Sequence, residues 1–229
     1  MSARNLQVVV ADFVTAASAS ELAQAAPAPQ VVLPAGISQQ LADAAFARSQ
    51  WREAFVHYVE ALRSGEAVVD VAKCLLFGAR ACLYLGEHKT AQTLLSAYAD
   101  AFPQDPEGLF YLGRAYQAVH RDHEALSCFN AASLINPGRP KYLSAVAQAA
   151  HAIAFEGYGF AAESSPATYL AIARSALGAA LAKEADHYES LVEQMVLALD
   201  TGDLDKAIAT FKLIADKESK HGPDKVSNA

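Results

Sequence analysis

From residue 37 onward, apolar side chains recur at i, i+3, i+4 and i+7, interrupted by short polar turns. That period predicts α-helix nearly throughout. Strand-like runs are confined to Gln7–Val10 and Gln30–Leu33, with "TAASASELAQAAPAPQ" lying between them. The pattern predicts an extended or weakly ordered arm over residues 1–36, a helical domain over 37–218 and a polar tail over 219–229.

One segment shows what the helices do. In "PEGLFYLGRAYQAVHRDHEALSCFNAASLINPGR" (106–139), two apolar-periodic stretches flank the polar turn "HRDHE". Gly113 sits inside the first stretch, where glycine costs about 1 kcal/mol relative to alanine. Close packing offsets such a cost. If the two helices fold back on one another, Gly113 can face Ala125 where the backbones come closest. Tyr116 and Phe129 fill the wider spaces, and Ala132 leaves room for the next helix. Pro137 ends the second helix, because the residue before a proline avoids the α region.

These residues resemble a tetratricopeptide repeat. Leu112, Gly113, Tyr116, Ala125, Phe129, Ala132 and Pro137 match that family's 34-residue pattern, and Leu109 stands where tryptophan is common. The pattern recurs. Ala79, Cys82, Ala91, Leu95 and Pro103 occupy the same offsets one period earlier. Ala42, Ala45, Ala54, Tyr58 and Ala61 repeat them before that, and Leu191, Ala198, Gly202, Ala207, Phe211 and Ile214 near the end. Repeats are therefore read at about 35–68, 72–105, 106–139 and 188–218. An irregular one lies between, with an insertion near 157–166 and a helix, "ATYLAIARSALGAALA", apolar enough to be buried on nearly all sides. In the last helix, Leu204, Ala207, Ile208, Phe211, Ile214 and Ala215 form one stripe opposite charged residues, the amphipathic form that ends a stack in water. The resemblance implies an all-α, right-handed α-solenoid of antiparallel helix pairs, about four to five repeats, with A helices lining a concave groove.

In that family the groove rows bind. Across the clearest repeats they comprise Lys73, Phe77, Arg80 and Tyr84, then Phe110, Tyr111, Arg114 and Gln117, then Lys141, Gln148 and His151. Within one helix, Lys73, Phe77, Arg80 and Tyr84 fall on a single face. Arginine forks suit carboxylates and backbone carbonyls, while aromatic rings supply apolar anchoring. A peptide with apolar anchors and an acidic group would fit. The plain alternative is that Arg80 and Arg114 solvate a helix surface while Phe77 and Tyr111 pack between helices. Some family members clamp a C-terminal carboxylate with lysines and asparagines. Here Asp43 and Arg80 stand where those asparagines belong, so that clamp is not expected.

Composition narrows the function. The chain has 229 residues, 53% of them apolar, enough for a sizeable core. A net charge of −7 argues against a nucleic-acid binder. No apolar run is long enough to span a bilayer. Cys74 and Cys82 lie about 12 Å apart along one helix, too far for a disulfide. With Cys128 they read as three buried free thiols in a reducing cytoplasm. Export is the minor alternative: the apolar stretch Leu6–Val14 is broken by Asp12, although small residues follow it. "PQVVLP" (29–34) reads as a linker, or else as a segment lying in a repeat groove. His120 and His123 at i, i+3 lack a third ligand, so neither a metal nor a cofactor is expected. No hydrolase elbow, phosphate loop, dinucleotide fingerprint or C-x-x-C is present, and the chain is read as a non-enzyme. The expected function is a protein–protein interaction module, an adaptor or assembly factor taking a partner segment in the groove, with homo-oligomerisation open. A small acidic export chaperone of the same family is the alternative.

Overall fold

The computed structural model of the chain describes residues 3–19, 35–65, 67–156 and 165–221. Among the described residues there are eleven α-helices and no strand. They are α1 (Ala3–Ala19), α2 (Ala35–Ala47), α3 (Trp51–Ser64), α4 (Val71–Tyr84), α5 (His88–Ala101), α6 (Pro106–Gln117), α7 (Asp122–Ile135), α8 (Pro140–Glu156), α9 (Pro166–Lys183), α10 (Tyr188–Asp200) and α11 (Leu204–His221). The chain divides into two compact units, residues 1–121 and 122–229.

Four turns share one geometry. Ser49, Gly86, His120 and Gly202 all take left-handed backbone, with φ between 57° and 81°. In each, the next amide donates to the carbonyl five residues back: Gln50 to Ala45, Glu87 to Cys82, Arg121 to Tyr116 and Asp203 to Ala198, at 2.8–3.0 Å. This is the Schellman arrangement that closes a helix and reverses the chain. The small residue that opens the packing of the following helix stands five positions after each turn, at Ala54, Ala91, Ala125 and Ala207, all buried.

In the first unit, α2 packs on α3, α4 on α3, α5 on α4, and α6 on α5, with α6 also reaching α4. Asp70 caps α4 by accepting from the Lys73 amide. Asp105 caps α6 and also accepts from the Tyr98 hydroxyl at 2.6 Å, tying the end of α5 to the start of α6. Glycine makes room where rings press on backbone. A Cβ at Gly108 would run into the Tyr98 ring, and one at Gly78 would stand 3.2 Å from Phe13 Cζ and 3.5 Å from Tyr58 Cβ.

The N-terminal arm differs from expectation. Residues 3–19, including the strand-like Gln7–Val10, form α1, which packs against α5, α3 and α4. Leu6, Val10, Phe13 and Ala17 recur at helical spacing, and Phe13 and Ala17 are fully buried. Burial of that face outweighs the modest helix penalty of consecutive valines. The strand-like Gln30–Leu33, with "PQVVLP", lies outside the described residues, as does most of the 157–166 insertion.

In the second unit, α7 packs on α8, α8 on α9, α10 on both α8 and α9, and α11 on α10. Two expectations fail here. Helix α9 is one-sided: Ala173, Ala176, Leu177 and Ala180 are buried while most of its other alanines face outward. Alanine reads as apolar but has little area to hide, so its exposure costs little. Helix α11 buries Ala207, Thr210 and Ile214 and leaves Leu204, Ile208 and Phe211 exposed, so the stripe predicted to be covered is only half covered. It also runs to His221, past the predicted start of the tail.

Candidate functional site

In the first unit, α4 carries Lys73, Phe77, Arg80 and Tyr84 along one face, and that face meets α2 and α6. Arg80 stands at the centre. Its guanidinium carbon lies 4.2 Å from the Tyr111 ring centroid, 4.5 Å from Phe77 and 5.0 Å from Phe46. Three rings from three successive A helices thus enclose one cation. Each such contact contributes about 0.5–2 kcal/mol, more as water is excluded. Arg80 Nη2 donates a long hydrogen bond, 3.5 Å, to the Tyr84 hydroxyl, while its Nε is buried with no hydrogen-bond partner.

The aromatic cluster continues outward. Phe46 meets Phe77 at 4.9 Å and Trp51 at 5.0 Å, and Trp51 meets Tyr84 at 4.6 Å between centroids. Tyr84 is 45% exposed, an apolar ring held at the surface by other rings. Burial pushes the Tyr111 hydroxyl above its ordinary range against the opposing Arg80 charge, so it remains a neutral donor.

One flank of the cluster is fixed by Asp43. One carboxylate oxygen accepts from the Tyr58 hydroxyl at 2.7 Å and the other pairs with Lys73 Nζ at 2.6 Å. Lys73 is therefore committed within the chain. The other flank is on α6. Phe110 meets Tyr111 at 5.1 Å, Arg114 lies 5.5 Å from the Phe110 ring, and Arg114 Nη1 donates to Gln117 Oε1 at 3.2 Å. The structure thus assembles Lys73, Phe77, Arg80, Tyr84, Phe110, Tyr111, Arg114 and Gln117 into one surface. It adds Phe46 and Trp51, which the repeat rows did not single out. The signal for Phe46 was available, since it sits four residues after Ala42 just as Leu83 follows Ala79 and Gln117 follows Gly113.

In the second unit, Lys141 Nζ lies 5.1 Å from the Tyr142 ring, and Gln148 is half-buried. His151 departs from the expectation of a contact open to a partner. It is buried, with Nδ1 2.7 Å from Glu193 and Nε2 3.0 Å from Asp200, so both nitrogens are engaged by α10. The Glu193 hydrogen bond raises its pKa above the ordinary value, against burial, and the charges of Glu193 and Asp200 add to that rise. Cys128, expected buried, is half-buried, whereas Cys74 and Cys82 are fully buried. Among the described residues, no group of three or more His, Cys, Asp or Glu could hold a metal ion. Nor is any helix among them long and apolar enough to cross a membrane.

No protein-family profile and no curated protein matches the chain. Solved structures do. A tetratricopeptide repeat protein of Thermus thermophilus, TTC0263, superposes with a TM-score of 0.63 at 22% identity, covering 82% of this chain and 93% of that one. MamA of Desulfovibrio magneticus RS-1, residue 41 to its end, gives 0.64 at 14%, covering 82% and 96%. YrrB, described as a tetratricopeptide protein with an unusual peptide-binding site, gives 0.55 at 15%, covering 80% and 86%. The chain has the all-α solenoid fold of tetratricopeptide repeat proteins.

Proposed function

We infer that this chain is an adaptor or assembly factor, holding a segment of a partner protein on the A-helix face of its first unit around Arg80. One observation carries the reading: a guanidinium enclosed by Phe46, Phe77 and Tyr111, with a buried, unpartnered Nε, beside the exposed ring of Tyr84. With three ring centroids within 5.0 Å of its carbon, the guanidinium offers an incoming group its N–H bonds. That geometry favours a carboxylate or a row of backbone carbonyls and disfavours a cation. Trp51 and Tyr84 supply the apolar wall against which an anchor side chain would pack. Arg114 and Gln117 extend the polar edge along α6.

The test is purification of the native protein with its bound partner, repeated with Arg80→Glu and Arg114→Glu together and, separately, with Tyr84→Ala. Circular dichroism checks that each variant is folded. Loss of the same partner from both variants supports the reading. Retention in folded Arg80→Glu/Arg114→Glu protein would place the partner elsewhere. A partner that is held only until it is exported would make the protein a chaperone.

A further inference from the structure

The shared turn geometry gives a register for comparing helices. Counted from Ser49, Gly86, His120 and Gly202, the residues nine positions later are Tyr58, Leu95, Phe129 and Phe211. Tyr58, Leu95 and Phe129 are fully buried, and each belongs to a helix on which the next A helix packs: α4 on α3, α6 on α5, α8 on α7. Phe211 is 58% exposed. Its neighbour Ile208 is exposed too, where Phe55 and Leu126 in the same register are buried. The last helix thus carries the receiving half of the repeat interface, and among the described residues no A helix lies on it.

The first A helix carries the opposite half. Ile37, Leu41 and Ala44 of α2 are exposed, with Ile37 44% and Leu41 39% accessible. In register, α4 has Cys74, Gly78 and Ala81 there, α6 has Gly108, Leu112 and Ala115, and α8 has Tyr142, Val146 and Ala149, all buried. The pairing is visible inside the chain. Gly78, the counterpart of Leu41, lies against Tyr58, the counterpart of Phe211. Gly108, the counterpart of Ile37, lies against Tyr98, the counterpart of Ile214.

We propose that the chain self-associates head to tail, α2 of one copy docking on the Leu204–Ile208–Phe211 face of α11 in the next. The occupant is a second copy because each chain holds both halves of an interface it already makes internally, in matching register. Phe211 then meets Leu41 of the neighbour, as Tyr58 meets Gly78 within the chain. The contact is heterologous, so every added copy presents a fresh half-site, and growth ends only if the rotation closes a ring. This goes beyond the proposed partner site, which uses Phe46 of α2, Trp51 of α3 and other faces of α4 and α6.

Sedimentation velocity on the full chain across a wide concentration range tests it. The wild type should form species larger than a dimer that dissolve on dilution. Phe211→Glu alone and Leu41→Glu alone should each be monomeric, a complete loss of larger species. Mixed, they should form a one-to-one dimer and stop, since only one intact pair of half-sites remains. Both positions are exposed, so folding should survive. Ile208→Lys and Ile37→Lys provide a second pair should circular dichroism show otherwise. A monomeric wild type at every concentration overturns the proposal. So does a Leu41→Glu dimer, which would mean that α11 pairs with α11, or a mixture that stays monomeric.

Discussion

The left-handed turns set the terms at the level of single residues. Two of the four are occupied by glycine and two by side chains, Ser49 and His120. A left-handed L-residue costs about 1–2 kcal/mol, part of which glycine forfeits again through greater freedom in the unfolded chain. Ser49→Gly should therefore stabilise the first unit by about 0.5–1 kcal/mol, read as a raised midpoint in urea. An unchanged or lowered midpoint would show that the turn is not under strain. Gly108 is the converse case. Its missing Cβ makes room for a buried Tyr98 ring held by Asp105. Gly108→Ala should cost about 1–3 kcal/mol by overpacking, with the near-ultraviolet tyrosine signal altered. Much of this was legible in sequence: the alanines at Ala54, Ala91, Ala125 and Ala207 announced close packing without any coordinates. The turn at His120 was legible from its polar run, but its left-handed backbone and that of Ser49 were not, because neither side chain advertises positive φ as glycine does.

Between elements, the reading succeeded where a helix's neighbours are its own repeat and failed where they come from elsewhere. α1 was hidden because a run of valines reads locally as strand. Only its distant partners α3, α4 and α5 make the face of Phe13 and Ala17 worth burying. The Arg80 enclosure was half legible: Phe77 and Tyr111 followed from the 34-residue spacing, while Phe46 comes from a pair whose spacing to the next is 37. The His151 tie between α8 and α10 was not legible, since it joins residues 42 apart across the irregular repeat. It has a pH signature. The folded pKa is raised above the ordinary histidine value near 6.5 by hydrogen bonding and by charge from Glu193 and Asp200. Its contribution is thus fully present below the unfolded value and is lost as pH climbs through the raised folded value. Thermal stability of the second unit should fall over that window in the wild type and show no such fall in His151→Gln. Parallel pH profiles for the two proteins would mean that the tie contributes nothing.

At the scale of the whole molecule, the two units differ in what they bury. The first is packed around large side chains, with Tyr58, Phe13, Phe55, Leu75, Leu94 and Leu95 all but inaccessible. The second buries Tyr142, Phe129 and Leu177 but fills much of its remaining core with alanine, and its last helix leaves four large apolar side chains, Leu204, Ile208, Phe211 and Leu213, in water. Stability in a repeat fold is the sum of local repeat and interface contributions, so the unit that hides less apolar area should open first. The cysteines report on this directly, because Cys74 and Cys82 lie in the first unit and Cys128 in the second. Burial pushes all three thiols up, Cys74 to about 12 and Cys128 to about 11, so in the folded chain almost no thiolate is available at neutral pH. Since the thiolate is the reactive form, iodoacetamide should label the native protein slowly at all three. In a urea series with mass-spectrometric readout, Cys128 should become labelled at a lower concentration than Cys74 and Cys82. Labelling of all three at one midpoint would show a single cooperative transition, with the larger side chains of the first unit conferring no separate advantage.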